Sequence, residues 1–144
     1  MPQWVVLVYK IPREPAAGRV YVWRKLKRLG ALLLHDAVWL LPDTPWTREQ
    51  FQWLSVEIRD LGGEALMWES RMVLPGQDET LVQQFVADVN AVYQDILAAL
   101  QQSDVDLPAL ARQYQQLQAR DYFHSPLAEQ VRAALLSARG GDDI

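Results

Sequence analysis

Residues 4–9 read Trp-Val-Val-Leu-Val-Tyr, an unbroken run of apolar, β-branched and aromatic side chains. Such a run is typical of a strand buried on both faces, because a half-exposed strand alternates polar and apolar residues. Pro15 follows a short turn and is well placed to open a helix, since a first-turn residue leaves its N–H unpaired in any case. Helical periodicity covers residues 16–29 and ends at Gly30, which favours the left-handed cap.

The next segment predicts a hairpin or one long bent strand. Residues 31–34 and 37–41 are two short apolar runs separated only by His35-Asp36, which is compatible with both arrangements. A second helix is predicted to begin at residues 47–50, where Thr47 and Gln50 have the spacing of a capping box. Its apolar face contains Phe51, Leu54, Ile58 and Leu61.

Gly62-Gly63 ends that helix, and residues 64–73 predict a last strand. The element order is therefore β-α-β-β-α-β, which predicts an α+β fold of the ferredoxin-like type. Right-handed crossovers place both helices on one face of a four-stranded antiparallel sheet. Because the first strand is apolar on both faces, the other face of the sheet also needs a cover.

Three further helices are predicted after the sheet. Residues 78–100 form the clearest amphipathic pattern, Asp106 precedes a second helix, and Ser125-Pro126 opens a third that ends at Gly140-Gly141. We therefore expect a βαββαβ domain over residues 1–75 and a helical extension over 76–144. The extension packs either on the domain, in cis or swapped between subunits, or on a partner subunit.

The net charge of −4 is strongly segregated along the 144 residues. Residues 1–30 contain seven basic side chains against Glu14 alone, a net charge of +6, whereas residues 31–144 carry −10. On the first helix, Val22, Trp23, Leu26 and Leu29 are expected to share the buried face, with the cations opposite them. The residues predicted to contact nucleic acid are Arg13, Arg19, Tyr21, Arg24, Lys25, Lys27 and Arg28.

Two interpretations of this basic helix are open. Dense Lys and Arg neutralise phosphates and release counterions, which favours nucleic-acid binding. The same charges could instead form a solvated surface that pairs with the acidic remainder of the protein. A helix over residues 109–120 could be the second helix of a helix-turn-helix, but its sparse positive charge argues against that assignment.

The sequence carries no recognisable catalytic or metal-binding motif. It has no cysteine, which excludes disulfides and thiolate ligands, and no HExxH, GxSxG, P-loop or GxGxxG is present. His35 and His124 are interpreted as structural or solvated residues. We predict a protein that is not an enzyme and needs neither cofactor nor metal.

The apolar runs are far shorter than the roughly 18 residues that span a bilayer, and the N-terminal residues do not resemble a signal peptide. We therefore expect a cytoplasmic protein without membrane association. The six tryptophans all precede residue 69, and we expect most of them in the core. Trp46, in a predicted loop, and Trp53, off the apolar face of its helix, could instead anchor a helix or a partner.

Five stretches of the N-terminal half are distinctive: residues 4–15 (WVVLVYKIPREP), 19–31 (RVYVWRKLKRLGA), 36–42, 47–54 and 61–65. Together they resemble the N-terminal domain of ChrB-type chromate-resistance proteins. It covers residues 3–75 and, more loosely, the helical remainder. It implies transcriptional regulation through binding to double-stranded DNA, at an operator upstream of a chromate-resistance operon.

The pattern is also distantly similar to the middle domain of phenylacetate-type repressors (PaaX) and to the CRISPR-adaptation nuclease fold. In those nucleases the first strand ends in a metal-binding aspartate, whereas the matching stretch here is Tyr9-Lys10-Ile11. A lysine does not coordinate Mg²⁺ as a carboxylate does, which argues against nuclease activity.

ChrB-type proteins also carry a C-terminal domain expected to sense chromate, and we expect that nothing after Gly140 supplies it. We expect either a stand-alone module or one half of a split protein, acting as a homodimer and possibly with a separate chromate-sensing domain. The alternative to DNA binding is a non-enzymatic dimerisation or interaction module that docks such a domain.

Overall fold

The structure is a computed structural model and describes residues 3–140. The chain divides into two compact units, the first ending at Asp78 and the second beginning at Glu79. The first unit contains β1 (Trp4–Lys10), α1 (Ala16–Leu29), β2 (Leu32–His35), β3 (Val38–Pro42), α2 (Pro45–Asp60) and β4 (Glu64–Ser70). The helices that follow are α3 (Gln77–Ala99), α4 (Leu107–Gln118) and α5 (Leu127–Gly140).

The four strands form one antiparallel sheet in the order β2-β3-β1-β4. The central strand β1 pairs with both β3 and β4, so that Leu7 lies between Trp39 and Met67. This order, with α1 after β1 and α2 after β3, confirms the predicted ferredoxin-like arrangement. Strands β2 and β3 form a hairpin rather than one bent strand. At its turn, Asp36 takes a left-handed conformation with φ of 43°.

The first unit has a continuous apolar core. The first four residues of β1 are buried, as expected for a strand covered on both faces. Helix α1 ends at Gly30, whose φ of 75° confirms the predicted left-handed cap. The core side chains of the two helices are Val22, Leu26, Leu29, Phe51, Leu54 and Ile58.

Two features of helix α2 differ from the expectation. The helix begins three residues earlier than predicted, because Pro45 suits the first helical position and Thr44 is the N-cap. The Thr44 hydroxyl accepts from the Thr47 N–H at 3.1 Å, and the Thr47 hydroxyl accepts from the Thr44 N–H at 2.9 Å. Leu61, expected in the core, is the C-cap residue and is 41% exposed.

The prediction that most tryptophans belong to the core is wrong. Trp4 and Trp39 are buried, but the other four are exposed. Trp23 is 50% exposed because the buried stripe of α1 runs through Val22 and Leu26, about 100° away around the helix. Trp46 lies in the first turn of α2 rather than in a loop. Strand β4 also ends three residues earlier than predicted, at Ser70.

The second unit is helical, as predicted. Asp106 caps α4 by accepting from the Ala109 N–H at 3.1 Å. A buried carboxylate, Asp121, joins the helices, because it accepts from the Tyr93 hydroxyl at 2.9 Å and from the Ser125 N–H at 3.0 Å. The core residues are Val89, Tyr93, Ile96, Tyr114, Leu117 and Val131. The predicted end of α5 at Gly140-Gly141 falls partly outside the described residues.

No helix between residues 3 and 140 has both the length and the apolar character needed to cross a membrane.

Candidate functional site

Helix α1 presents its basic side chains on the side away from the core. Val22, Leu26 and Leu29 are buried, so the positions between them face outward. Of the seven residues predicted to contact nucleic acid, Lys25 is half-buried and the others are exposed. Arg13 lies in the loop before α1, and Arg19, Tyr21, Arg24, Lys25, Lys27 and Arg28 lie on the helix itself.

Two of the seven predicted residues are bound to a carboxylate of helix α2. The Tyr21 hydroxyl donates to Glu57, and Lys25 Nζ lies 3.4 Å from Glu57 Oε1. The same ammonium lies over the Tyr21 ring, 5.7 Å from its centroid. Glu57 therefore compensates part of the charge of α1. The sequence carried no local signal of this contact, because the partners are 32 and 36 residues apart.

The remaining cations keep their charge available. Within residues 3–140, none of these five side chains forms an ion pair: Arg13, Arg19, Arg24, Lys27 and Arg28. Lys27 Nζ lies over the Trp23 ring, 5.7 Å from its centroid. An aromatic face attracts a cation without cancelling its charge. The surface of α1 is therefore positive and largely uncompensated.

The basic residues fall on two sides of the helix. Arg24, Lys25 and Arg28 line a depression of about 440 Å³ together with Tyr21. Arg13, Arg19 and Arg24 instead border a cleft of about 850 Å³ between α1 and the β2–β3 hairpin. Arg24 belongs to both sides. We call the second feature the α1–β2 cleft; it is also lined by Tyr9, Lys10, Val20, Trp23, Leu33, Asp36 and Trp39.

The floor of the α1–β2 cleft contains a polar group without a regular partner. Trp39 is 2% exposed, and its indole Nε1–H makes no hydrogen bond of normal geometry to any described residue. It nevertheless lies close enough to the Tyr9 hydroxyl to lower the pKa of that group, as does the charge of Arg19. Burial has the larger effect and raises the pKa of Tyr9, so its hydroxyl is protonated at neutral pH.

No pattern in the sequence indicates this cleft. The sequence predicts Tyr9 in a buried strand and Trp23 in the helix core. It predicts Leu33 in a strand without any functional role. The residues come from β1, α1, β2 and β3, and only the packing of α1 beside the hairpin brings them together.

The side-chain chemistry of the first unit favours anion binding rather than cation binding. Asp36 is the one carboxylate among the residues that border the cleft. Among the described residues, no group of three or more His, Asp or Glu side chains is arranged to hold a metal ion.

Comparison with known proteins identifies related sequences. A family model described as "Protein ChrB, N-terminal" matches residues 19–108, which include every predicted contact residue except Arg13. Protein ChrB of Cupriavidus metallidurans is 34% identical over 64 residues, covering 44% of this chain and 20% of that protein. The aligned region is thus a fifth of the relative's length. No solved structure gives a significant match.

Proposed function

The chain belongs to the ChrB N-terminal family, and from this we propose that it is a DNA-binding regulatory module that contacts duplex phosphates through helix α1. The observation that carries the proposal is the set of exposed cations on and beside α1 that have no ion pair among the described residues. By resemblance to ChrB-type proteins, the regulated genes are those of chromate resistance. The module acts without catalysis and as a homodimer.

The geometry of α1 suits a phosphate backbone. A helix of 14 residues is about 21 Å long, and its cations therefore extend over several phosphates of a duplex. Each neutralised phosphate releases counterions, so binding is expected to weaken steeply as salt rises. Phosphate contacts of this kind position a protein on DNA, while sequence recognition requires contacts to the base edges.

The alternative interpretation, in which α1 pairs with the acidic remainder of the protein, accounts for only part of the surface. It describes Lys25 and Tyr21, which contact Glu57. It does not account for Arg24 or Arg28, which stay exposed although residues 31–144 carry a net charge of −10. The acidic remainder is expected to be repelled by DNA, which favours approach through α1.

Charge reversal on α1 tests the proposal. The full chain is titrated at low salt against duplex DNA from upstream of its own gene, with fluorescence anisotropy as the readout. We expect R24E with R28E to abolish binding, and R24A with R28A to lower the magnitude of the salt slope by about 2, since each lost phosphate contact is worth about 0.9.

The matched control is R112E with R139E, which makes the same change of charge on exposed arginines of α4 and α5. This variant should retain most of the affinity. The proposal is contradicted if the wild-type chain binds no duplex at low salt, or if both double variants weaken binding equally.

A second candidate function is supported by helix α2. Trp46, Trp53 and Val56 are 45%, 60% and 47% exposed, and Trp53 and Val56 border a shallow groove with Pro45. Exposed aromatic side chains of this kind are typical anchors of protein interfaces. The alternative is therefore an interaction module that docks a separately encoded chromate-sensing domain.

Co-purification separates the two functions. A stable complex with the separate domain should persist at high salt and survive R24E with R28E, but it should be lost on W46A with W53A. Light scattering on the isolated chain measures the homodimer independently.

A further inference from the structure

The α1–β2 cleft combines a suitable volume, an aromatic lining and a positively charged rim. Its volume of about 850 Å³ lies within the range of small-molecule sites, roughly 300–1,000 Å³. The cleft has an apolar and aromatic lining, a charged rim and a buried polar group in its floor. Each feature restricts the chemistry of the ligand that fits it.

The rim requires more than one negative charge. Lys10, Arg13, Arg19 and Arg24 border the cleft against Asp36, which gives a local net charge of +3. Within the described chain none of these three arginines has an ion pair. Guanidinium groups bind phosphate oxygens in a bidentate manner. Because the local charge is +3, the rim suits a phosphate or a pair of phosphates better than a singly charged carboxylate.

The lining suits a planar ring. Trp23 is half-exposed, and the Lys27 ammonium over its ring holds the indole in place through a cation–π contact. Tyr9 and Leu33 supply further apolar surface. Aromatic side chains bind the faces of nucleobases by stacking, whichever base is present.

The floor adds a hydrogen-bond donor. Buried indole N–H groups normally have a partner, and an unpaired one costs free energy. The Trp39 Nε1–H is fully buried beside the Tyr9 hydroxyl. Tyr9 itself is half-buried, borders the cleft and carries a protonated hydroxyl at neutral pH. A ring nitrogen or a ring carbonyl oxygen is the kind of acceptor that the Tyr9 hydroxyl would bind.

From these three requirements we propose that the α1–β2 cleft is a nucleotide-binding site, which takes a nucleobase against Trp23 and two phosphates against Arg13, Arg19 and Arg24. The site shares Arg13, Arg19 and Arg24 with the cations proposed to contact duplex DNA, but it is tested without DNA and does not rest on that proposal. The same chemistry is presented by a free nucleoside diphosphate and by the phosphorylated end of a single strand.

Isothermal titration calorimetry on the full chain, at low salt and without DNA, tests the proposal. The probes are ADP, adenosine, which has the ring without the charge, and pyrophosphate, which has the charge without the ring. We expect ADP to bind at least about tenfold more tightly than either fragment, because the stacking and phosphate contacts act together.

Variants of the cleft locate the binding. R19A and W23A should each weaken ADP binding about tenfold, since each removes one of the two kinds of contact. The matched controls are R59A and W68A, which remove an exposed arginine and a comparably exposed tryptophan outside the cleft. All four melting temperatures are measured, so that a loss of binding is not confused with a loss of fold.

The outcomes are distinct. A 5′-phosphorylated single-stranded tetranucleotide that binds at least tenfold more tightly than ADP, with the same dependence on Arg19 and Trp23, supports the site and assigns it to a strand end. The reverse preference supports the site and assigns it to a free nucleotide. The proposal is overturned if ADP does not bind at about 1 mM, if pyrophosphate binds as tightly as ADP, or if the controls lose as much affinity as the cleft variants.

Discussion

At the scale of single residues, Glu57 sets how much of the positive charge of α1 is available. Its carboxylate accepts from the Tyr21 hydroxyl and lies 3.4 Å from Lys25 Nζ. One acidic residue of α2 therefore engages two of the predicted contact residues. The side chains of Lys25 and Glu57 are 32% and 29% exposed, and the pair is therefore partly screened by water.

Replacing this carboxylate is expected to strengthen DNA binding. E57Q removes the negative charge beside Lys25, which frees one further cation for phosphate and raises the magnitude of the salt slope by up to about 1. The free energy of unfolding should change by less than about 1 kcal/mol, because the ion pair is near the surface. Anisotropy titrations at several salt concentrations measure the slope.

D60N is the control, since it makes the same change of charge at an exposed position of the same helix. If D60N strengthens binding as much as E57Q does, the effect belongs to the net charge and not to the contact with Lys25.

At the scale of elements, the connection between α2 and β4 depends on a close approach of two backbones. A Cβ on Gly63 would lie 2.4 Å from the Lys10 carbonyl oxygen and 3.0 Å from Ile58 Cγ2. Strand β1 pairs with β4 at this point, where Lys10 lies opposite Glu64. The backbone oxygen has no room to move without disturbing that pairing. Gly63 is therefore needed for α2 to lead directly into the sheet.

Two alanine substitutions are expected to have opposite effects on stability. G63A should lower the free energy of unfolding by about 1–3 kcal/mol, because the added methyl group overpacks the turn. G18A should raise it by about 0.5–1 kcal/mol, since Gly18 lies in α1 and its added Cβ would meet Leu61 at an ordinary 3.5 Å. Urea denaturation measures both, and a neutral G63A would contradict the close approach.

At the scale of the whole molecule, both compact units contain a tyrosine with a raised pKa. Burial is the main cause for Tyr9 in the first unit and for Tyr93 in the second. The hydrogen bond from Tyr93 to the buried Asp121, together with the charge of that carboxylate, raises the pKa of Tyr93 further. Burial also raises the pKa of Tyr122, although Arg120 partly opposes it.

We expect the protein to lose stability in alkali. The folded state favours the neutral phenol, so this contribution is complete below the unfolded pKa of about 10 and is lost as the pH rises through the folded pKa. The free energy of unfolding, measured in urea from neutral pH upward, should begin to fall near pH 10. The phenolate absorbance should appear later in the folded chain than in the unfolded chain.

Y93F tests the contribution of Tyr93. This variant should lose about 1–3 kcal/mol at neutral pH, because the buried Asp121 loses a donor, but its stability should fall less steeply in alkali. An alkaline profile that is unchanged by Y93F would assign the effect to other groups.

Much of the fold follows from short stretches of sequence. The bounds of α1, its cap at Gly30 and the cap of α4 at Asp106 were predicted correctly, because each depends on residues within one or two turns of one another. The start of α2 was predicted wrongly, although its true cap is also local. Thr44 and Thr47 both have the chemistry of a cap, and Pro45 at the first helical position decides between them.

Local sequence is enough to predict the order of the elements, the segregation of charge and the placement of the basic residues on α1. These properties depend on periodicity and on composition. Tertiary packing, in contrast, exposes Trp23, brings Glu57 to Tyr21 and Lys25, and places Tyr9, Trp23 and Leu33 around one cleft. Those contacts join distant parts of the chain. They depend on how α1 packs on the sheet and against α2. That packing is determined by the whole core, and no local sequence pattern encodes it.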